Sequence, residues 1–179
     1  MILLIIVGSL LMDIQALDKA LENEENASIM QTSHSEIKKK KNDILQKLQL
    51  KGTVLKTMHA TLIGYKYIDN IDELTVGRYV RWISLKRPDH ISLTNGAHVC
   101  NISIQDYADA GHNDDDDDDD DSDDEDQDQE CKTCVRCKVV RNGKPLFFNL
   151  NFDENLVFQK ITEQEWIILD ALAALEKMK

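Results

Sequence analysis

Two prolines and seven glycines in 179 residues leave no room for a long Pro/Gly linker, so the chain reads as one domain with appended segments. Aromatic residues are scarce, at 6%, but a hydrophobic share of 42% suffices for a core. No apolar run reaches the roughly 20 residues of a membrane span. The longest, at positions 1–12, also lacks the basic flank of a signal peptide, so no membrane association is expected. The segment reads as a buried or frayed N-terminus. A start at Met12 would leave Asp13 as the first helix cap. Only four cysteines are present, and Cys131, Cys134 and Cys137 are too close together to staple distant parts of a fold. A reducing, intracellular compartment is the simpler expectation.

Basic residues are missing altogether between Asp114 and Glu130, a stretch with 14 of the 33 acidic residues. The rest holds 19 acids against 21 bases, so the formal charge of −12 describes an insert and not the folded surface. Eight consecutive aspartates, Asp114 to Asp121, repel one another and offer nothing to bury. The insert, 108–131, is therefore expected to be a disordered loop. It would serve as a spacer, as a phosphate mimic covering a positive surface, or as bait for a basic partner.

Phosphate-cradling glycine loops, the Gly-x-Ser-x-Gly elbow and His-Glu-x-x-His are all absent. The expectation is a protein without catalysis, cofactor or small-molecule substrate.

Periodicity divides what is present. Ile14, Leu17 and Leu21 predict a short helix from Asp13 to about Asn23. Ser33-x-x-Glu36 is a capping box opening a longer helix, about Ser35 to Ile63, with Gly64 as its left-handed terminator. Gly52 marks where a break would fall. The stripe Ile37, Ile44, Leu48, Leu55, Met58 and Leu62 packs on its own domain or, alternatively, self-associates as a coiled coil. Strand signals then take over. Tyr79–Ile83 is β-branched and aromatic. Asn95-Gly96 joins Ile91–Thr94 to Ala97–Ile104, Asn142-Gly143 joins Val135–Arg141 to Lys144–Leu150, and Leu156–Lys160 closes the set. Thr162-x-x-Glu165 caps a C-terminal helix, with Ile161 as a staple on Trp166. The fold class is thus α+β. A small antiparallel SH3-like barrel of 5–6 strands (alternatively OB-like), at 65–160, sits between a helical region, 13–64, and a helix at 161–179.

Two sets of residues suggest binding. Lys38, Lys39, Lys40 and Lys41 make the long helix positive, and Arg78 and Arg81 flank Tyr79 and Trp82 on the first strand. Cations beside aromatics suit nucleic acid or a peptide, unless Val80 and Trp82 are core and the lysines only solvate a helix. Only one of the alternating sets, Val80/Trp82 or Tyr79/Arg81/Ile83, is expected to face inward. The spacing Cys131-x-x-Cys134-x-x-Cys137 suits zinc if Cys100, His98 or His112 supplies a fourth ligand. Within a strand, however, Cys134 and Cys137 would diverge, leaving Cys131 and Cys134 as free thiols.

Leu74–Ile83 (LTVGRYVRWI), Leu93–Ile102 (LTNGAHVCNI) and Asp153–Leu175 (DENLVFQKITEQEWIILDALAAL) resemble uncharacterised proteins of nucleocytoplasmic large DNA viruses of the giant, mimivirus-like kind. The acidic insert and the three cysteines look like departures from them. The resemblance implies a viral protein made in an infected host cell and packaged in the virion, and it carries over no functional residue. The functional expectation is a non-catalytic structural, scaffold or interaction protein with a protein partner. The alternatives are a nucleic-acid-binding accessory protein and a zinc-binding regulator.

Overall fold

The computed structural model describes residues 5–7, 10–104 and 133–178. The acidic insert, with Cys131 and His112, lies outside them. A two-stranded hairpin, β1 (Ile5–Val7) and β2 (Leu10–Met12), precedes helix α1 (Ile14–Glu22). Asp13 caps α1 by accepting from the amides of Gln15 and Ala16.

The helix expected at 35–63 is two helices, α2 (His34–Lys47) and α3 (Gly52–Thr61). The chain turns between them at Gln49, which adopts a left-handed φ of 50°. The capping box at Ser33 and Glu36 is formed, and Gly64 reverses the chain after α3 with φ +78°. Of the expected stripe, Ile37, Met58 and Leu62 are buried and Ile44, Leu48 and Leu55 are partly buried against the same protein's core, so the stripe packs on its own domain.

Six strands follow: β3 (Tyr65–Ile68), β4 (Tyr79–Ser84), β5 (Ala97–Ile104), β6 (Thr133–Arg141), β7 (Lys144–Asn151) and β8 (Asn155–Lys160). They form one antiparallel sheet in the order β3-β8-β4-β5-β6-β7. The closed barrel expected from sequence is not formed, because β3 and β7 remain as edges. The ladder between β4 and β5 has two residue pairs, Tyr79–His98 and Val80–Ala97. So short a seam lets the sheet fold over itself, enclosing a core by bending instead of closure. Val80, Val157 and Ile68 on one half meet Val99, Val135, Cys137 and Leu150 on the other, with Trp82 and Phe148 rings 5.6 Å apart.

The opposite face of β3, β8 and β4 is covered as well. Tyr65, Phe158, Leu156 and Ile83 pack on Leu45 of α2 and on Met58 and Leu62 at the α3 end. Both sets of β4 side chains therefore face protein, contrary to the single inward face expected. A third cluster joins Ala20, Ile29, Ile37 and Ile161 to Ile168 and Leu169 of α4 (Glu163–Lys177).

The two Asn-Gly signals have different outcomes. Asn142 and Gly143 both take positive φ, 50° and 75°, and close the tight β6–β7 hairpin at the Arg141–Lys144 pair. At Asn95-Gly96 only the glycine is left-handed, φ +98°, and 91–94 supplies one isolated bridge, Ile83–Leu93, in place of a strand. Gly96 is needed for close approach: a Cβ there would lie 2.5 Å from the Val80 carbonyl oxygen. At Gly143 a Cβ would meet nothing. Gly143→Ala is expected to cost about 1–2 kcal/mol for its backbone alone. Gly96→Ala adds a clash with backbone and should cost clearly more, as compared by urea unfolding of the two variants.

Candidate interaction groove

The capping box at Ser33 fixes the start of α2, and Gly64 fixes the turn from α3 into β3. Ile161 donates its amide to the Gly64 carbonyl at 2.8 Å, which ties that turn to the base of α4. These constraints leave a groove of about 600 Å³ between α2, the α3 end and α4. Ile37, Ala60, Ile63, Ile161 and Trp166 supply its apolar surface. Ile63 is 73% exposed. His34, Lys38, Lys41 and His59 supply the charged and titratable lining, and no acidic side chain is among the lining residues.

Lys41 is the best-positioned of these. Its ammonium donates to the Leu62 carbonyl at 2.7 Å and the Tyr65 carbonyl at 3.3 Å, bridging the α3 end to β3. Burial, and next the charge of Lys38, pull its pKa below the usual lysine value. His34 contacts Asp170 at 2.9 Å through Nε2, and its ring lies 5.0 Å from that of Trp166.

The cations grouped by sequence do not share a surface. Lys38 and Lys41 line the groove, Lys40 lines a separate depression beside Lys66 and Tyr67, and Lys39 is exposed on α2. Arg78 is engaged elsewhere, 3.6 Å from Glu165 and 3.8 Å from Glu25. The Tyr79 hydroxyl donates to the Asn95 carbonyl at 2.7 Å. The Arg81 guanidinium stacks 5.7 Å above the Tyr65 ring.

Sequence reasoning missed the polar centre beneath α4. Glu165, 1% exposed, accepts from the Thr162 amide (2.7 Å), as the capping box requires, and also from the Thr162 hydroxyl (3.2 Å). The same carboxylate meets Lys66 at 3.3 Å and Arg78. Only the cap was legible, because Lys66 and Arg78 approach through long-range pairing. Ile63, Tyr65 and Trp166 were likewise missed as groove residues. The one available signal was Ile63, an apolar residue off the helix stripe.

Of the cysteines, Cys134 is disulfide-bonded, which corrects the expected free thiol, while Cys100 and Cys137 are free. Cys134 and Cys137 project from opposite faces of β6, with Cys137 fully buried in the core. Among the described residues no group of three or more His, Cys, Asp or Glu side chains is arranged to hold a metal. Burial, and secondarily Cys100, push the Cys137 thiol up to about 12.

The chain matches no protein-family model, no curated protein and no solved structure.

Glu165→Gln retains a cap acceptor but removes the charge facing Lys66 and Arg78. It should cost about 3 kcal/mol or more in denaturant unfolding, as expected when one partner of a buried pair is lost. Glu36→Gln, in the exposed capping box of α2, should cost under about 1 kcal/mol. Native-state alkylation should modify part-exposed Cys100 and spare Cys137, whose thiol reacts only on unfolding; equal rates would contradict the packing described.

Proposed function

We propose that the chain is a non-catalytic interaction or scaffold protein that seats a protein segment in the groove between α2, α3 and α4. The observation that carries this reading is Ile63, 73% exposed at the lip of a groove with an apolar floor and Trp166 in its wall. Burying such a patch is favourable at about 25 cal/mol per Å², and apolar surface with an aromatic anchor is typical of protein-binding sites. The lining combines aliphatic and aromatic surface with the cations Lys38 and Lys41, a combination suited to holding a partner segment. The resemblance to giant-virus proteins extends the proposal to a virion-associated scaffold made in an infected host cell.

A second reading, nucleic-acid binding, rests on Lys38, Lys39 and Lys40, which stay exposed on α2. It has less support, because Arg78 is bound to carboxylates and Lys41 to carbonyls.

Affinity capture with the tagged full chain from the cells that make it distinguishes the two. A protein retained by the wild type and lost with Ile63→Glu is expected. The substitution is at an exposed site and should change stability by no more than about 0.5 kcal/mol. Nuclease-sensitive retention that is indifferent to Ile63 would favour the second reading and remove the first.

A further inference from the structure

Lys41 is a half-buried cation without a counter-charge. None of the ion pairs among the described residues includes Lys41 or its neighbour Lys38. An ammonium has three N–H donors. Two are directed at the carbonyls of Leu62 and Tyr65, which leaves one for a ligand. Those carbonyls also hold the side chain in place, so little rotamer freedom remains to be lost when an anion arrives. Burial already disfavours the charged form of this lysine, and a carboxylate beside it would relieve that penalty.

Resting on the interaction reading above, we propose that the groove recognises an acidic–apolar protein segment. In it, an Asp or Glu side chain meets Lys41 and Lys38 beside a large apolar anchor packed on Ile63, Ile37 and Trp166. Charge complementarity selects this occupant. The groove's lysines face no acidic lining residue, and aliphatic side chains form most of its floor. A nucleic-acid strand fits less well, because tracking phosphates takes a row of cations and stacked aromatics. Here two lysines line the groove, too few for such a row.

The test uses the full chain and short acetylated, amidated peptides with a leucine–phenylalanine anchor flanked by aspartates, serines or lysines. A short oligothymidylate completes the set. Binding is read by calorimetry and by the Trp166 indole resonance. The aspartate peptide should bind about tenfold more tightly than the serine peptide, as one charge-assisted hydrogen bond implies, and the lysine peptide most weakly. Lys38→Gln and Lys41→Gln should each weaken the aspartate peptide several-fold and leave the serine peptide unchanged. Should Lys41→Gln disturb folding, the exposed Lys38→Gln still decides. Equal binding of aspartate and serine peptides, with both lysine variants silent, would overturn the carboxylate inference and leave the interaction groove standing. If no peptide moves the Trp166 resonance, the inference and the reading beneath it both fail. Displacement of that resonance by oligothymidylate alone would replace both with nucleic-acid binding.

Discussion

The carboxylate of Glu165 is a capping group that also neutralises a buried lysine. Helix α4 needs an acceptor for the Thr162 amide, and strand β3 places Lys66 at 8% exposure where its ammonium must find a counter-charge. A single buried side chain meets both needs and draws in Arg78 from the turn before β4. Burying ions is costly unless they are paired, so this centre fixes where α4 sits on the sheet. Once α4 is fixed, Ile161 meets Gly64, Trp166 meets His34, and the groove acquires its wall.

Local chemistry was legible in the sequence and long-range pairing was not. The caps at Ser33 and Thr162 formed because each needs only a residue three positions away. Asn142-Gly143 formed its hairpin because regular strands flank it on both sides. Asn95-Gly96 carried the same dipeptide, but Ile91–Thr94 has one bridging partner and no ladder, so nothing demanded a tight reversal. Strand β3 was hidden because Tyr65–Ile68 follows a helix terminator directly and alternates around Lys66, whose partner lies 99 residues away. The open sheet was equally hidden, since closure depends on whether the edge strands β3 and β7, far apart in sequence, pair with each other.

The lysine run shows the same limit from the other side. Successive residues on an α-helix point about 100° apart, so Lys38 to Lys41 were never going to form one patch. Lys41 turns inward to cap carbonyls, Lys38 borders the same groove, and Lys40 faces another depression. Adjacency in sequence overstated the positive surface and concealed the more informative feature, a cation held by carbonyls with no acid beside it.

Exposed apolar residues also occur at the far edge of the sheet, and comparison with them weights the groove. Strand β7 is an edge, with Leu146 and Phe147 about half exposed. Counting from the Arg141–Lys144 pair that closes the two-residue turn, the ladder alternates so that Pro145, Phe147 and Asn149 face away from β6. Proline at such a position removes an outward donor, and Arg136 lies 5.6 Å over the Phe147 ring. That edge carries devices that discourage pairing with another strand. At the other edge, α2 lies against β3 and Lys41 takes the Tyr65 carbonyl. The residues lining the groove at Ile63 include no proline and no acid, and the lysines among them are Lys38 and Lys41. Ile63, at 73% exposure, is the most exposed of the large apolar residues among the described ones, which is why the proposed contact is placed there and not at the guarded sheet edge.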